Sequence, residues 1–170
     1  MQLQTDTATG NTSSEKKGKT VVQGKAFRLV DNSDIAPGLF ALHFDLAGEK
    51  VNKLSPPVML ELNGILDELK ARTDIKALVF LSDKDGIFIA GADIEVIKTI
   101  RDAREGSRLA SEGQAVVEKL ENLPFPVVAA INGAAMGGGT ELALCCKYIV
   151  ASDSPSTRVA LPEVNLGVLP

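Results

Sequence analysis

Three consecutive glycines followed closely by an acid form the first candidate site in the sequence. Gly137, Gly138 and Gly139 precede Thr140 and Glu141 and follow an apolar run of strand length. Glycine lets a main chain approach a ligand closely, and the unpaired amides at the start of a helix can bind a developing anion. The segment therefore predicts an anion-stabilising turn. The simpler alternative is a tight strand-to-helix turn that needs glycine for packing.

Two glutamates in apolar surroundings supply a second kind of chemistry. Glu141 precedes the apolar run 142–144, and Glu163 lies within the sequence Leu-Pro-Glu-Val at 161–164. An ionised carboxylate is costly in such a place unless it is used or paired, although isolated glutamates are usually solvated. Two acids whose environments separate their proton affinities can serve as base and acid. These two residues are therefore candidate proton carriers.

A second glycine loop, Ile-Ala-Gly-Ala-Asp-Ile at 89–94, follows another apolar run and precedes a short helical pattern. Asp93 is suited to cap that helix because its side chain can accept a hydrogen bond from a free helical amide. Taken alone, the loop is typical of a capped helix start. Its importance depends on what lies near it in the fold.

Other classes of site have no support in the sequence. Neither the dinucleotide-binding fingerprint nor the Gly-Lys-Ser/Thr ending of a phosphate-binding loop is present. The chain has one histidine, His43, and two adjacent cysteines, Cys145 and Cys146, which do not form a zinc-ligand pattern. The 18 basic residues are scattered and the net charge is -4, so we expect no nucleic-acid partner and no membrane-surface patch.

The elements that position these residues follow from the hydrophobic periodicity. Apolar or alternating runs predict strands, and apolar residues at helical spacing predict a helix from Pro56 and another between Glu105 and Asn122. Strands that alternate with helices indicate an α/β fold with a mostly parallel sheet flanked by helices. No internal repeat is visible. The predicted strands are Ala26 to Val30, Leu39 to Phe44, Ala77 to Leu81, Val127 to Ile131 and Tyr148 to Ala151.

The first 24 residues are rich in Thr, Ser, Lys, Gln and Gly and have little apolar content, which predicts a mobile polar leader. Residues 25–170 then form the folded domain. No apolar stretch approaches the length of a membrane span, and no secretory signal is visible. The leader contains acids and no arginine, which weighs against a mitochondrial transit peptide. We therefore expect a bacterial cytoplasmic protein, with the mitochondrial matrix as the alternative.

In this order along the chain, the motifs resemble the crotonase superfamily of enoyl-CoA hydratases and isomerases. The resemblance covers about Ala26 to the end, and it rests on the loop 89–94, Asn132-Gly133, the segment 137–141 and Leu161-Pro162-Glu163. Within the superfamily, the sequences at 88–94 and 160–164 resemble the N-terminal hydratase portion of multifunctional fatty-acid oxidation α subunits. The resemblance implies crotonase-like ββα repeats.

The resemblance also implies a role for each candidate residue. The backbone amides of Ala90 and Gly138 are expected to form an oxyanion hole for a thioester oxygen. Glu141 is expected to activate water and Glu163 to deliver a proton to the α carbon, with the division between them open because coupled carboxylates can share roles. The segment Asn52-Lys53-Leu54 resembles the family stretch that contacts CoA. The remaining substrate-binding candidates implied by the resemblance are Gly91, Ala92, Asp93 and Gly137.

The partner implied by this resemblance is an acyl-CoA thioester, in which CoA is part of the substrate. No metal and no cofactor are implied for this chain. NAD would be needed only by a separate C-terminal dehydrogenase part. The family resemblance further implies an oligomer or a β-oxidation complex with a thiolase subunit.

The family pattern normally continues beyond the equivalent of Val168-Leu169-Pro170, so we expect a C-terminally incomplete hydratase domain. Three functions therefore stay open. The first is an enoyl-CoA hydratase (a lyase) of fatty-acid β-oxidation, which having both glutamates favours. The second is a Δ3-Δ2-enoyl-CoA isomerase that uses mainly Glu163. The third is a catalytically incomplete fragment that binds acyl-CoA or serves in assembly.

Overall fold

The computed structural model describes residues 18–169. Within them the chain forms nine strands, four α-helices and one 3-10 helix, in a mixed α/β arrangement. The strands are β1 Lys19–Gln23, β2 Phe27–Asp31, β3 Leu39–Phe44, β4 Ala77–Ser82, β5 Ile87–Ile89, β6 Val127–Ile131, β7 Ala134–Met136, β8 Tyr148–Ala151 and β9 Arg158–Ala160. The helices are α1 Pro56–Lys70, α2 Ile94–Thr99, α3 Ala103–Glu121 and α4 Gly138–Leu144, and the 3-10 helix is Glu163–Leu166.

The larger sheet has six strands in the order β1-β2-β3-β4-β6-β8. The first two pairings are antiparallel, and those from β3 to β8 are parallel. The five strands predicted from the sequence all lie in this sheet. The expectation of an α/β fold with a mostly parallel sheet is therefore confirmed.

The core lies between this sheet and the helices α1 and α3, which pack against each other. Phe27 stacks on Phe44 with ring centroids 4.5 Å apart, and Phe80 makes edge contacts with both Phe27 and Phe88. Because Phe88 lies in β5, this aromatic cluster also joins the larger sheet to a second one.

The second sheet has three short parallel strands, in the order β5-β7-β9, which the sequence patterns did not predict. Each of these strands follows a strand of the larger sheet and precedes a helix or helical turn. The chain from β4 therefore contains three successive ββα units, as the family resemblance implied, with α3 inserted after the first of them. The units are β4-β5-α2, β6-β7-α4 and β8-β9 with the 3-10 helix.

The predicted polar leader is wrong in the part that the structure describes. Lys19–Gln23 form β1 and pair with the edge of β2, which supplies partners for backbone groups that would otherwise need water. Three successive β-branched residues, Thr20, Val21 and Val22, favour this strand, and Val22 packs on the core. The rest of the predicted leader, residues 1–17, lies outside the described residues.

The outer edge of the larger sheet is apolar and open. Strand β8 pairs only with β6 among the described residues, and all four of its residues are exposed. The exposed fraction is 60% for Tyr148 and 62% for Val150.

Helix α1 buries only some of its apolar residues. The buried positions are Val58, Leu62, Ile65, Leu66 and Leu69, whereas Leu60, an apolar residue of the same helix, is 73% exposed. The spacing of the buried residues is that of one helical face, and residue 60 falls outside it.

We predict that Leu62→Ala lowers the free energy of unfolding by about 2–5 kcal/mol, because it removes a fully buried side chain and leaves a cavity. The matched variant Leu60→Ala on the same helix should change it by less than about 0.5 kcal/mol. Urea unfolding followed by circular dichroism measures both values. Equal losses in the two variants would contradict the assigned face.

Candidate active site

The three loops that carry the candidate residues lie at one edge of the smaller sheet. Strands β5, β7 and β9 are parallel neighbours, so their carboxyl ends coincide. Those ends lead into residues 90–93, 137–141 and 161–163 respectively. The fold thereby brings together the two glycine loops and both candidate glutamates.

Two glycines at this edge have a main-chain conformation and surroundings that exclude a side chain. Gly91 has a φ of 106°, and a Cβ atom placed on it would lie 3.0 Å from the carbonyl oxygen of Met136. Gly137 has a φ of 51° and a ψ of −126°, and a Cβ there would overlap the carboxylate of Glu163. Glycine is therefore needed where the loops touch each other and where the acid packs on the turn.

Two backbone amides are free at this junction. The N–H groups of Ala92 and of Gly138, the first residue of α4, have no acceptor among the described residues. A Cβ atom placed on Gly138 would lie 3.9 Å from the Ala92 nitrogen and 3.3 Å from Leu54 Cδ1. The two donors are thus close neighbours beside an apolar side chain, at the positively polarised end of a short helix.

The structure contradicts the expectation that the Ala90 amide is a ligand donor. Its N–H donates to the carbonyl oxygen of Asn52 at 2.8 Å and is therefore occupied. The segment around Leu54 also pairs with Gly91 and Asp93 through hydrogen bonds of 2.8 and 3.1 Å. These contacts use the amides of residues 90 and 93 and leave that of Ala92 unpaired.

Asn52 was predicted to contact the substrate, but its side chain is fully buried. Its Oδ1 accepts from the Leu46 amide at 2.9 Å, while Nδ2 donates to Phe44 O at 2.8 Å and to Ser82 Oγ at 3.0 Å. All of these partners are internal. Asn52 therefore anchors the glycine loop to the larger sheet and presents no side-chain atom to a ligand.

Lys53 lies at the surface between two acids. Its Nζ is 3.5 Å from Glu49 Oε1 and 3.4 Å from Asp93 Oδ2, and the hydrogen bond with Asp93 raises the pKa of the ammonium group. Asp93 also caps α2, as predicted, by accepting from the Glu95 amide at 3.2 Å. A cleft of about 590 Å³ is lined by Lys53, Asp93 and neighbouring residues.

The two glutamates differ in their surroundings. Glu163 is partly buried, with Oε1 against Gly137, and its Oε2 is buried without any hydrogen-bond partner among the described residues. Glu141 is exposed, which corrects the expectation of an apolar setting, because the helix turns Leu142 and Ala143 inward and Glu141 outward. Its Oε2 still lies only 3.7 Å from a Cβ position on Gly138.

Sequence patterns missed Thr140, which connects two of the loops. Its buried hydroxyl lies 2.7 Å from Ala135 O and 2.9 Å from Ala160 O. A threonine between glycine and an acid gives no sign of this contact, since its partners come from strands that were themselves not predicted.

Three further properties of the described residues concern metal binding, membrane crossing and the two cysteines. Residues 18–169 contain no cluster of three or more His, Cys, Asp or Glu side chains arranged to hold a metal ion. No helix within the same range is long and apolar enough to cross a membrane. Cys145 and Cys146 are free thiols, and burial raises the pKa of Cys146 to about 12.

Unpaired amides beside two carboxylates, on a parallel sheet built from ββα units, define a class of site that can stabilise an oxyanion and transfer protons. The enoyl-CoA hydratase/isomerase family matches residues 41–170, and the chain belongs to that family.

Named relatives agree with this membership. The chain is 44% identical over 146 residues to the fatty acid oxidation complex subunit alpha of Shewanella halifaxensis, and 44% identical over 147 residues to that of Vibrio campbellii. Each match covers 86% of this chain but only 20% of the relative, so the chain spans about one fifth of their length.

Solved structures give the same result for the fold. An enoyl-CoA hydratase from Geobacillus kaustophilus superposes with a TM-score of 0.78 at 27% identity, covering 87% of this chain and 53% of that one. For the enoyl-CoA hydratase of Bacillus anthracis the TM-score is 0.75 at 28% identity, with 85% and 54% covered.

We predict that Gly137→Ala destabilises the fold more than Gly48→Ala does. Both positions have positive φ, so both substitutions carry backbone strain, and at Gly137 the ψ of −126° lies outside the left-handed region and adds to that strain. Only at Gly137 does the new methyl group also meet Glu163, since nothing lies within 4 Å of a Cβ on Gly48. Denaturant unfolding of the two variants measures the combined cost of the collision and the additional strain at Gly137. A smaller or equal loss for Gly137→Ala would contradict the packing of Glu163 on the turn.

Proposed function

We propose that this chain adds water across the double bond of a 2,3-enoyl-CoA thioester, as an enoyl-CoA hydratase. The observation that carries the proposal is the placement of two free amides, Ala92 and Gly138, beside Glu141 and Glu163 at one sheet edge. Family membership supports a lyase or isomerase reaction on an enoyl-CoA. The geometry supports a reaction that needs both oxyanion stabilisation and proton transfer.

The two amides are suited to hold the thioester oxygen. When a nucleophile adds to C3 of the enoyl group, electron density moves onto that oxygen and gives an enolate. Preformed backbone donors stabilise this charge more strongly than they stabilise the neutral thioester, and the difference lowers the barrier. In this proposal the Ala92 amide takes the role that the sequence had suggested for Ala90.

The glutamates then carry the protons. Glu141, which is exposed to water, removes a proton from a water molecule while the oxygen of that water molecule attacks C3. Glu163, whose buried Oε2 has no protein partner, delivers a proton to C2 as the enolate collapses. One water is consumed, its oxygen bonds to C3, and a hydrogen is gained at C2. The step leaves Glu141 protonated and Glu163 ionised, and proton exchange with solvent returns both to their starting states. No electrons are transferred, so no redox cofactor is needed.

In this proposal the CoA portion lies along the cleft beside Lys53. The distances from Lys53 to its acidic partners, 3.4 and 3.5 Å, are longer than those of a close ion pair, so the ammonium can turn to a phosphate. Leu54, next to Gly138, supplies apolar contact near the reacting end. Asn52, which was predicted with Lys53 and Leu54 to contact CoA, instead supports these two residues from the interior.

The named relatives support a cellular setting for this reaction. They are α subunits of a bacterial fatty acid oxidation complex, so we propose that the chain acts in β-oxidation within such a complex in the cytoplasm, next to a thiolase subunit. NAD would enter only through a separate dehydrogenase part. The chain spans about half the length of the solved hydratases.

A second candidate, Δ3-Δ2-enoyl-CoA isomerisation, is favoured by one observation. Glu163 is the carboxylate that packs on the glycine turn and has an unpartnered oxygen, whereas Glu141 is exposed. Moving a double bond requires one group to take a proton from C2 and return it to C4. A 3-enoyl-CoA substrate therefore separates the two reactions.

We predict that Glu141→Gln and Glu163→Gln each lower kcat for hydration of crotonyl-CoA by about 10²–10⁴-fold, because each removes one proton carrier. Loss of the conjugated-enoyl absorbance measures the rate, and calorimetry with a saturated CoA thioester should show nearly unchanged binding. Glu68→Gln, at an exposed glutamate of α1, is the matched control and should retain full activity.

Three outcomes distinguish the candidates. Full hydratase activity in Glu141→Gln would contradict the assigned water activation. Activity on a 3-enoyl-CoA that survives Glu141→Gln but not Glu163→Gln would establish isomerisation. Thioester binding without any turnover would identify an acyl-CoA-binding fragment.

We also predict that an amide-to-ester replacement at Ala92, which exchanges its N–H for an oxygen and weakens the Gly91 carbonyl as an acceptor, lowers kcat by about 10²–10³-fold. The same replacement at Ala90 removes the hydrogen bond to Asn52 and should lower the free energy of unfolding by about 1 kcal/mol. Its effect on kcat should be much smaller. Introducing α-hydroxy acids at the two positions and assaying crotonyl-CoA hydration makes the comparison. A larger kcat loss at residue 90 would favour the original assignment.

A further inference from the structure

The Thr140 hydroxyl is buried between two strands of the smaller sheet. Its Oγ1 is 2.7 Å from the carbonyl oxygen of Ala135 in β7 and 2.9 Å from that of Ala160 in β9. A hydroxyl carries one proton, so it donates to one of these acceptors at a time. In either state it contacts the carboxyl ends of both strands from the first turn of α4.

Ala160 is where the chain leaves the sheet for the 3-10 helix that contains Glu163. Its carbonyl oxygen accepts from the Gly137 amide at 2.9 Å and also contacts Thr140. Beyond the end of β9 at Ala160, the backbone hydrogen bonds donated by the next residues, Asn165, Gly167 and Val168, stay within the segment 162–168. Ala160 O is therefore the last hydrogen-bonded anchor before Glu163.

The same hydroxyl is one residue away from Glu141. Thr140 is the third residue of α4, and its side chain ties that helical turn to the sheet on which the glycine loops meet. A shift of this contact would move the start of α4, with Glu141 and the Gly138 amide, relative to the segment that holds Glu163. Reactions that use two carriers on one substrate lose rate steeply when the groups are displaced by about 1 Å.

We propose that Thr140 is a positioning residue that sets the relation between Glu141 and Glu163. The inference rests on the proposed hydration and deepens it, because it assigns to a buried hydroxyl the alignment of the two proton carriers. Thr140 does not touch the substrate. It acts through Ala160 O and Ala135 O.

Two substitutions at this position separate the hydroxyl from the methyl group. Thr140→Val keeps the shape and loses both polar contacts, whereas Thr140→Ser keeps the hydroxyl and loses the methyl group. Thr99→Val is a matched control, since the exposed Thr99 hydroxyl also donates to a backbone carbonyl, that of Val96, at 2.7 Å. Thr99 lies outside the proposed machinery.

Kinetics with crotonyl-CoA provide the main test. We expect Thr140→Val to lower kcat about tenfold or more with KM changed less than about twofold, because the cleft beside Lys53 stays in place while the alignment of α4 with Glu163 is lost. Thr140→Ser should retain at least about half of the wild-type kcat, and Thr99→Val should match wild type. A Thr140→Val variant with wild-type kcat would overturn the proposal, as would a Ser variant as slow as the Val variant.

Hydrogen exchange tests the structural basis without any turnover. The Gly137 amide, bonded to Ala160 O, should exchange about fivefold faster in Thr140→Val than in wild type, and at an unchanged rate in Thr140→Ser. If the wild-type chain does not hydrate crotonyl-CoA, the proposed function fails on that result alone. Unchanged exchange in Thr140→Val would separately refute the anchoring by Thr140.

Discussion

The coincidence of three carboxyl ends at one edge of a small parallel sheet is the constraint on which the rest of the structure depends. Strands β5, β7 and β9 are only three residues long, and they begin at Ile87, Ala134 and Arg158, which are 47 and 24 residues apart in sequence, yet their pairing brings the loops that follow them together. The aromatic contact between Phe80 and Phe88 ties this sheet to the main core. Packing against the larger sheet therefore stabilises the small sheet, whose loops form a candidate site made mostly of main chain.

Close packing at this edge explains why the site consists of glycines and free amides. Gly91 and Gly137 let two turns approach each other and leave room for a carboxylate against the second turn. Each turn contributes an N–H group that the fold leaves unpaired, while neighbouring amides are used internally. Such donors require no side-chain ordering when a ligand arrives, so their alignment depends on the sheet and on the buried Asn52 and Thr140 contacts.

The sequence predicted what periodicity and motif order encode. Continuous apolar runs identified the long parallel strands, and capping and proline signals identified the helices. Three-residue strands such as β9 have too few residues to show any alternation, and they were missed. The choice between the Ala90 and Ala92 amides depends on a positive φ at Gly91 and on a partner 38 residues away, neither of which a local pattern contains. The burial of Asn52 could not be predicted for the same reason, since its partners lie elsewhere in the sequence.

The open edge of β8 has a further consequence for the behaviour of this polypeptide in solution. Parallel strands are ordinarily covered on both faces, but Tyr148, Ile149 and Val150 present apolar side chains and unpaired backbone groups to water. An uncovered strand of this kind is a template for strands from other molecules. Recovery of the purified chain will therefore depend on its concentration, and additives that coat apolar surface will determine how much of it remains dispersed.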